Sequence, residues 1–152
     1  MSKADVQKLV ERLGGELEIP GLTLDENGYC CLMFDDLSLN IETDAEGLLF
    51  VYSHIGRIPA QDKEIFYQKL LEANYFYQQT GGGTIGIDAG QGIVVLIMQT
   101  PGSVLQDESF RKMLENFVNI AHTWAGRITE FAQGGGGPVD SSGFRPLPGS
   151  LA

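Results

Sequence analysis

Basic residues are scarce in this chain: 10 Lys and Arg stand against 20 Asp and Glu, for a formal net charge of −10. That balance argues against nucleic acid and against anionic membrane surfaces as partners, since both select basic patches. Long apolar runs are missing as well. No stretch reaches the roughly 18–20 apolar residues of a membrane span, so no membrane insertion is expected. The first residues, Met1 to Asp5, lack the apolar core of a signal peptide, which predicts a cytoplasmic location. Cysteine is limited to Cys30 and Cys31. Neighbours in a strand point to opposite faces, and a bridge between them would close a strained ring, so both are read as reduced thiols and small apolar fillers. No further Cys pair exists and the two histidines are far apart in sequence, so no metal and no cofactor are expected.

A catalytic constellation is also missing. The glycines at 81–83 and in the run Gly86 to Gly92 invite comparison with phosphate loops, but a strand pattern follows them where a helix start is needed, and no Gly-Lys-Ser/Thr occurs. His54 falls at the end of a strand pattern and His122 inside a long helical one. Ser53 and His54 are adjacent, and strand neighbours diverge, so they cannot act as nucleophile and base. Asp25-Glu26 and Asp35-Asp36 sit in turns, which do not offer the burial that paired catalytic carboxylates need. No catalytic residue is assigned and no enzyme is expected.

What is present is pattern. The 43% hydrophobic content across 152 residues supports a globular core without disulfides or metal. Ser2 and Asp5 have the spacing of a capping box, and Val6, Leu9, Val10 and Leu13 then make one helical stripe, which Gly14-Gly15 is expected to end. Leu22 and Leu24 alternate ahead of an Asn27-Gly28 turn, and Tyr29 to Phe34 returns. Leu37, Leu39 and Ile41 alternate with Ser38, Asn40 and Glu42, the signature of a strand with one wet face. Leu48 to Ile55 is a further strand. Between Leu13 and Gly56 stand nine Asp or Glu and no Lys or Arg, either a solvated face or a surface that steers a basic partner segment. Asp62 is placed to cap a second helix, whose stripe is Phe66, Leu70, Ala73 and Tyr77 and which continues to Phe76, with Gly81-Gly82-Gly83 as the stop. A hairpin follows, Thr84 to Asp88 and then Ile93 to Met98. Asp107 is placed to cap a third helix whose period runs past Ile128.

The fold class is therefore α+β: an antiparallel sheet of about five strands with three helices, in the order α-β-β-β-α-β-β-α, over residues 1–131, with a flexible Gly/Pro-rich tail at 132–152. The six apolar residues Ile93 to Met98 carry weight in this reading. A strand can hold such a run only if both faces are covered, which in a small domain points to a second chain.

The stretch LLEANYFYQQTGGGTIGIDAGQGIVVL at residues 70–96, together with the order of elements, resembles the Tir chaperone family, the class I chaperones of type III secretion. Members show a Leu-Leu-x-x-Asn run ending the middle helix, then glycines, then a Gly-hydrophobic-Asp strand. Here these are Leu70, Leu71 and Asn74, Gly81 to Gly83, and Gly86-Ile87-Asp88. The resemblance spans about residues 3–130. It implies a homodimer formed through the middle helix and later strands, at Phe66, Leu70, Tyr77, Val94, Val95, Leu96 and Met98. It also implies cargo, the N-terminal region of a secreted effector held extended, with Val6, Leu9, Leu13, Leu22, Leu24, Cys31 and Met33 as the matching positions. Release by an export ATPase is implied in the same way. Two other readings stay open: a dimeric intracellular adaptor of the same fold, and a small-molecule-binding domain or enzyme. Glutamate at Val95 or Leu96 is expected to dissociate the dimer, as checked by light scattering; an unchanged mass rejects that placement.

Overall fold

A computed structural model describes residues 2–134. The elements are α1 (Lys3–Glu16), β1 (Tyr29–Phe34), β2 (Leu37–Thr43), β3 (Leu48–Arg57), α2 (Lys63–Asn74), β4 (Thr84–Asp88), β5 (Ile93–Pro101) and α3 (Asp107–Ala132). This is the α+β order expected from the sequence. The strands form a five-stranded sheet in the order β1-β2-β3-β5-β4. Strands β1 to β3 are a meander and β4 and β5 a hairpin, all antiparallel pairs. The chain makes two compact units, one of residues up to Tyr52 with Met98–Val118, the other of Ser53–Ile97 with residues from Asn119 onward. Most of the Gly/Pro-rich tail expected at 132–152 lies outside the described residues.

In the first unit the capping box forms: the Asp5 carboxylate accepts the Ser2 backbone N–H at 2.8 Å and the Ser2 hydroxyl at 3.1 Å. Both bonds favour the ionised form, so the carboxyl is held below its ordinary pKa, with the backbone bond as the larger cause. The stripe Val6, Leu9, Val10 and Leu13 is buried, and each such side chain contributes on the order of 1.5–3 kcal/mol. The two glycines do not end α1, which runs on to Glu16. Gly14 instead allows a close approach, since a Cβ there would stand 2.7 Å from Leu22 Cβ. The helix ends through Leu17, whose N–H reaches Leu13 O at 2.9 Å, and Glu18 turns the chain at φ 56°.

Leu22 and Leu24 form no strand; the chain there is irregular and Leu24 is a core residue. The turns on either side of β1 and β2 repeat one device. Asp25 Oδ1 accepts the N–H groups of Asn27 and Tyr29, and Asp44 Oδ1 accepts those of Glu46 and Leu48, all within 2.8–3.0 Å. Two of the nine acids thus build turns. The alternation in β2 holds for Leu37, Leu39 and Ile41, all buried. Asn40 departs from the expected wet face: it is buried, accepts from Tyr29 Oη at 2.8 Å and donates to Tyr52 O at 3.1 Å. Its amide is paired on both sides, which removes the penalty for burying it. Helix α3 begins at Asp107 itself, so that residue is not the cap. Ser109 Oγ instead exchanges bonds with the Gln106 backbone at 2.8 and 3.0 Å. Asp107 is left to pair with Arg12 at 3.0 Å.

In the second unit Asp62 precedes α2 in a left-handed conformation, φ 55°, with no cap bond from its side chain, so the expected cap is absent. Phe66, Leu70 and Ala73 face inward. The helix stops at Asn74, two residues before the expected end, because Asn74 serves another purpose. Its side-chain amide donates to Ile85 O at 2.9 Å and accepts Ile85 N–H at 2.8 Å. Gly81 follows at φ 58°, where a side chain would collide with Ile120. Thr80, wholly buried, donates its hydroxyl to Gly83 O at 2.6 Å. Trp124 Nε1 donates to Gln79 O at 2.8 Å, so the glycine loop is held from α3.

Asn74→Ala removes two hydrogen bonds and should lower stability by about 1–3 kcal/mol, read from urea unfolding at fixed protein concentration; a loss below about 0.5 kcal/mol would mean the amide does not anchor the hairpin. Ser53 Oγ is buried in β3 without a hydrogen-bond partner. Ser53→Ala should therefore be neutral or stabilising by up to about 1 kcal/mol in the same assay.

Candidate functional site

A sheet in this order has two edge strands, β1 and β4, and they differ. On β4, the Ile85 N–H and C=O that point away from β5 are both taken by Asn74, which closes the edge at that residue, while the same alternation turns the N–H and C=O of Ile87 outward. On β1, the outward N–H of Tyr29 is taken by Asp25. Alternation along an antiparallel pair turns the N–H and C=O of Cys31 and Met33 outward as well. Both side chains are exposed, Met33 to 66%. The β1 edge therefore offers a row of backbone groups flanked by apolar and aromatic side chains. Tyr29, Phe50 and Tyr52 share the face of Cys31 and Met33, as the registers Cys31↔Asn40↔Tyr52 and Tyr29↔Glu42↔Phe50 show.

Of the seven positions carried over for cargo, Cys31 and Met33 are open and Leu22 is half-buried. Val6, Leu9, Leu13 and Leu24 are at most 5% exposed and pack inside the protomer; a helical stripe looks the same in sequence whichever surface it meets. Leu22 lines a groove of about 650 Å³ between the last turns of α1 and the loop after it, with Glu11, Gly14, Gly15, Glu18, Ile19, Pro20, Gly21 and Thr23. The sequence reading missed this groove. Ile19 and Leu17 are exposed but belong to no periodic segment, so only their apolarity next to Pro20-Gly21 could have drawn attention to them.

The second unit has its own exposed apolar surface. β5 is buried on one face through Val94 and Leu96, and its other face, Ile93, Val95 and Ile97, is partly open. Paired with them across the hairpin are Asp88, Gly86 and Thr84. Among the described residues, the two-faced run Ile93 to Met98 is thus fully covered on one side only. Beyond α2, Tyr75, Phe76 and Tyr77 are all exposed, as is Leu71. Phe76 and Tyr77 hold positive φ, 51° and 55°, and the Tyr75 and Phe76 rings meet edge-on at 4.7 Å. Of the seven positions carried over for the dimer, Phe66, Leu70, Val94 and Leu96 are buried in the protomer. Tyr77, Val95 and Met98 retain exposed area. Leu96→Glu would therefore damage the core, and Val95 is the informative position.

Ser53 is buried and His54 exposed, on opposite faces of β3. Among the described residues no group of three or more His, Cys, Asp and Glu could hold a metal ion, and no helix is long and apolar enough to cross a membrane.

The Tir chaperone protein (CesT) family model matches residues 8–125. The chain belongs to that family, whose members are chaperones of type III secretion and not, in general, enzymes. A Tir chaperone of Escherichia coli O157:H7 is 24% identical over 113 residues, 74% of this chain and 69% of that one. Among solved structures, the ExsC–ExsE complex superposes with a TM-score of 0.73 at 22% identity, covering 84% of this chain and 97% of that one. The HopA1–SchA chaperone–effector complex gives 0.69 at 20% identity, covering 82% and 95%.

The adjacent thiols differ in environment. Burial pushes the Cys30 thiol up to about 11, while Cys31 is exposed. A maleimide at pH 8 should label one thiol per chain rapidly and the second only on unfolding, because a raised pKa depletes the thiolate below that pH. Cys31→Ser should abolish the rapid phase, as measured by intact-mass spectrometry; a rapid phase that persists would place Cys30 at the surface.

Proposed function

We propose that the protein is a cytoplasmic type III secretion chaperone. It binds the N-terminal region of a secreted effector in an extended, non-globular state, prevents its aggregation and keeps it fit for export. The observation that carries this reading is the β1 edge, where the backbone groups of Cys31 and Met33 turn outward beside their own exposed side chains, while Asn74 closes β4 at Ile85. An extended segment can add to such an edge through main-chain hydrogen bonds, with alternate side chains supplying selectivity. Ordering an unfolded client has an entropic cost, so contact must extend over a large surface. Family membership and the likeness to a chaperone–effector complex support the same reading. The work is holding, which needs no bond-breaking chemistry and no cofactor; release falls to an export ATPase.

A homodimer completes the proposal. The half-covered face of β5 at Ile93, Val95 and Ile97, with Tyr77 and its aromatic neighbours, is the surface a second copy would cover.

The test starts from the native bacterium. The tagged chain should recover one secreted protein whose N-terminal segment alone resists limited proteolysis, and Met33→Lys should weaken that capture about tenfold or more. Recovery of a partner bound through a folded domain would instead establish the adaptor reading. For the dimer, light scattering at micromolar concentration should give twice the chain mass, and Val95→Glu should halve it with the circular dichroism spectrum unchanged. A wild-type monomer would overturn the dimer, and a Val95→Glu dimer would move its interface elsewhere.

A further inference from the structure

The face of the meander that carries Tyr29, Cys31 and Met33 also carries one carboxylate. Glu42 is the single charged residue of β1, of β2 and of β3 as far as Tyr52; the other acids of this half stand in α1, turns and loops. Glutamate is a poor strand residue, and its neighbours here are aromatic. Register sets the exposed Glu42 between Tyr29 on β1 and Phe50 on β3, with Tyr52 one row along, and all three rings are half-buried. Tyr52 Oη donates to Glu42 Oε2 at 3.4 Å, and Tyr29 Oη donates to Asn40 Oδ1 at 2.8 Å, so both rings lean toward β2 from either side. Ring faces carry negative potential and draw a cation, as the carboxylate does. The sequence from Leu13 to Gly56 has no Lys or Arg to answer that pull.

We propose that this face selects an arginine: the guanidinium of an extended client segment added to β1 lies over the Tyr29 ring and pairs with Glu42, with Tyr52 beside it. The surface is continuous with the open β1 edge, because Tyr29 belongs to that edge strand and Glu42 to the next strand in. Strands lie about 4.8 Å apart, so Glu42 is roughly 10 Å sideways from a segment added outside β1. Short side chains cannot cover that distance, and a long one must cross the Tyr29 position on the way. Arginine suits the path better than lysine. Its planar group stacks on an aromatic face, meets a carboxylate with two parallel hydrogen bonds and loses water more readily than an ammonium. The acidic turns at both ends of the meander favour a cationic segment in general; the rings around Glu42 add the preference for a guanidinium. That the arginine arrives on a client strand rests on the chaperone reading above; the preference of the face does not.

Three synthetic peptides test it, each an alternating threonine–valine strand whose central residue is arginine, lysine or citrulline, the neutral isostere of arginine. They are titrated into the full chain and followed by backbone-amide NMR. The arginine peptide should bind about tenfold tighter than the citrulline peptide and a few-fold tighter than the lysine peptide. Glu42→Gln should abolish the ratio of arginine to citrulline affinity, and Tyr29→Leu should reduce it, whereas Glu46→Gln in the neighbouring turn should leave it as it is, which separates a local pair from the net charge of the chain. Equal binding of arginine and citrulline peptides, a lysine peptide as tight as the arginine one, or a ratio that survives Glu42→Gln overturns the proposal. Binding that weakens as protein concentration rises also overturns it, by assigning the face to a second copy. The chaperone reading is scored separately. Shifts around Glu42 and Tyr52 without shifts of the Cys31 and Met33 amides keep the arginine preference and reject strand addition at β1; shifts of those amides that are alike for all three peptides do the reverse.

Discussion

The two hydrogen bonds between the Asn74 amide and the Ile85 backbone organise the second half of this protein. One N–H and the carbonyl oxygen of the Asn74 amide meet the Ile85 C=O and N–H, so the side chain stands where a neighbouring strand residue would. That pairing ties the end of α2 to the start of β4. It also makes the sheet asymmetric. One edge is closed from within at Ile85, and the other, at Cys31 and Met33, keeps its backbone groups directed outward.

The acid-rich first half is partly explained by folding alone. Asp25 and Asp44 spend their carboxylates on backbone N–H groups in the turns before β1 and after β2, and Asp5 caps the start of α1. Glu11 and Glu18 line a groove. Charge of one sign therefore serves turn formation, helix initiation and surface potential together, and the net value of −10 is a sum over unlike roles.

Periodicity in the sequence was enough to recover the elements, their order and the antiparallel sheet, because alternation and the 3.6-residue repeat record which face of an element is buried. It said less about where elements end. Gly14 and Gly15 both lie inside a helix, and at Gly14 close packing against Leu22 needs the missing side chain. Asp62 and Asp107 look like caps, yet the first is left-handed and the second is already helical. Asn40 reads as a solvent position and is a paired core amide. The site was legible in its edge strand and obscure elsewhere. Val94 and Val95 are chemically identical neighbours, one in the core and one on the open face of β5, and composition cannot separate them. Ile19 lies in an irregular loop, where no repeat exists to be read.

Phe76 and Tyr77 hold backbone angles that glycine would adopt freely and that cost a bulky residue on the order of 1–3 kcal/mol each. Glycine at either place would relax the chain and delete a ring from the surface. Folding of the lone protomer and coverage of that surface by another body therefore pull in opposite directions at the same two positions. Retaining rings there makes the isolated chain less comfortable than it could be, and any association that covers them has that deficit to offset.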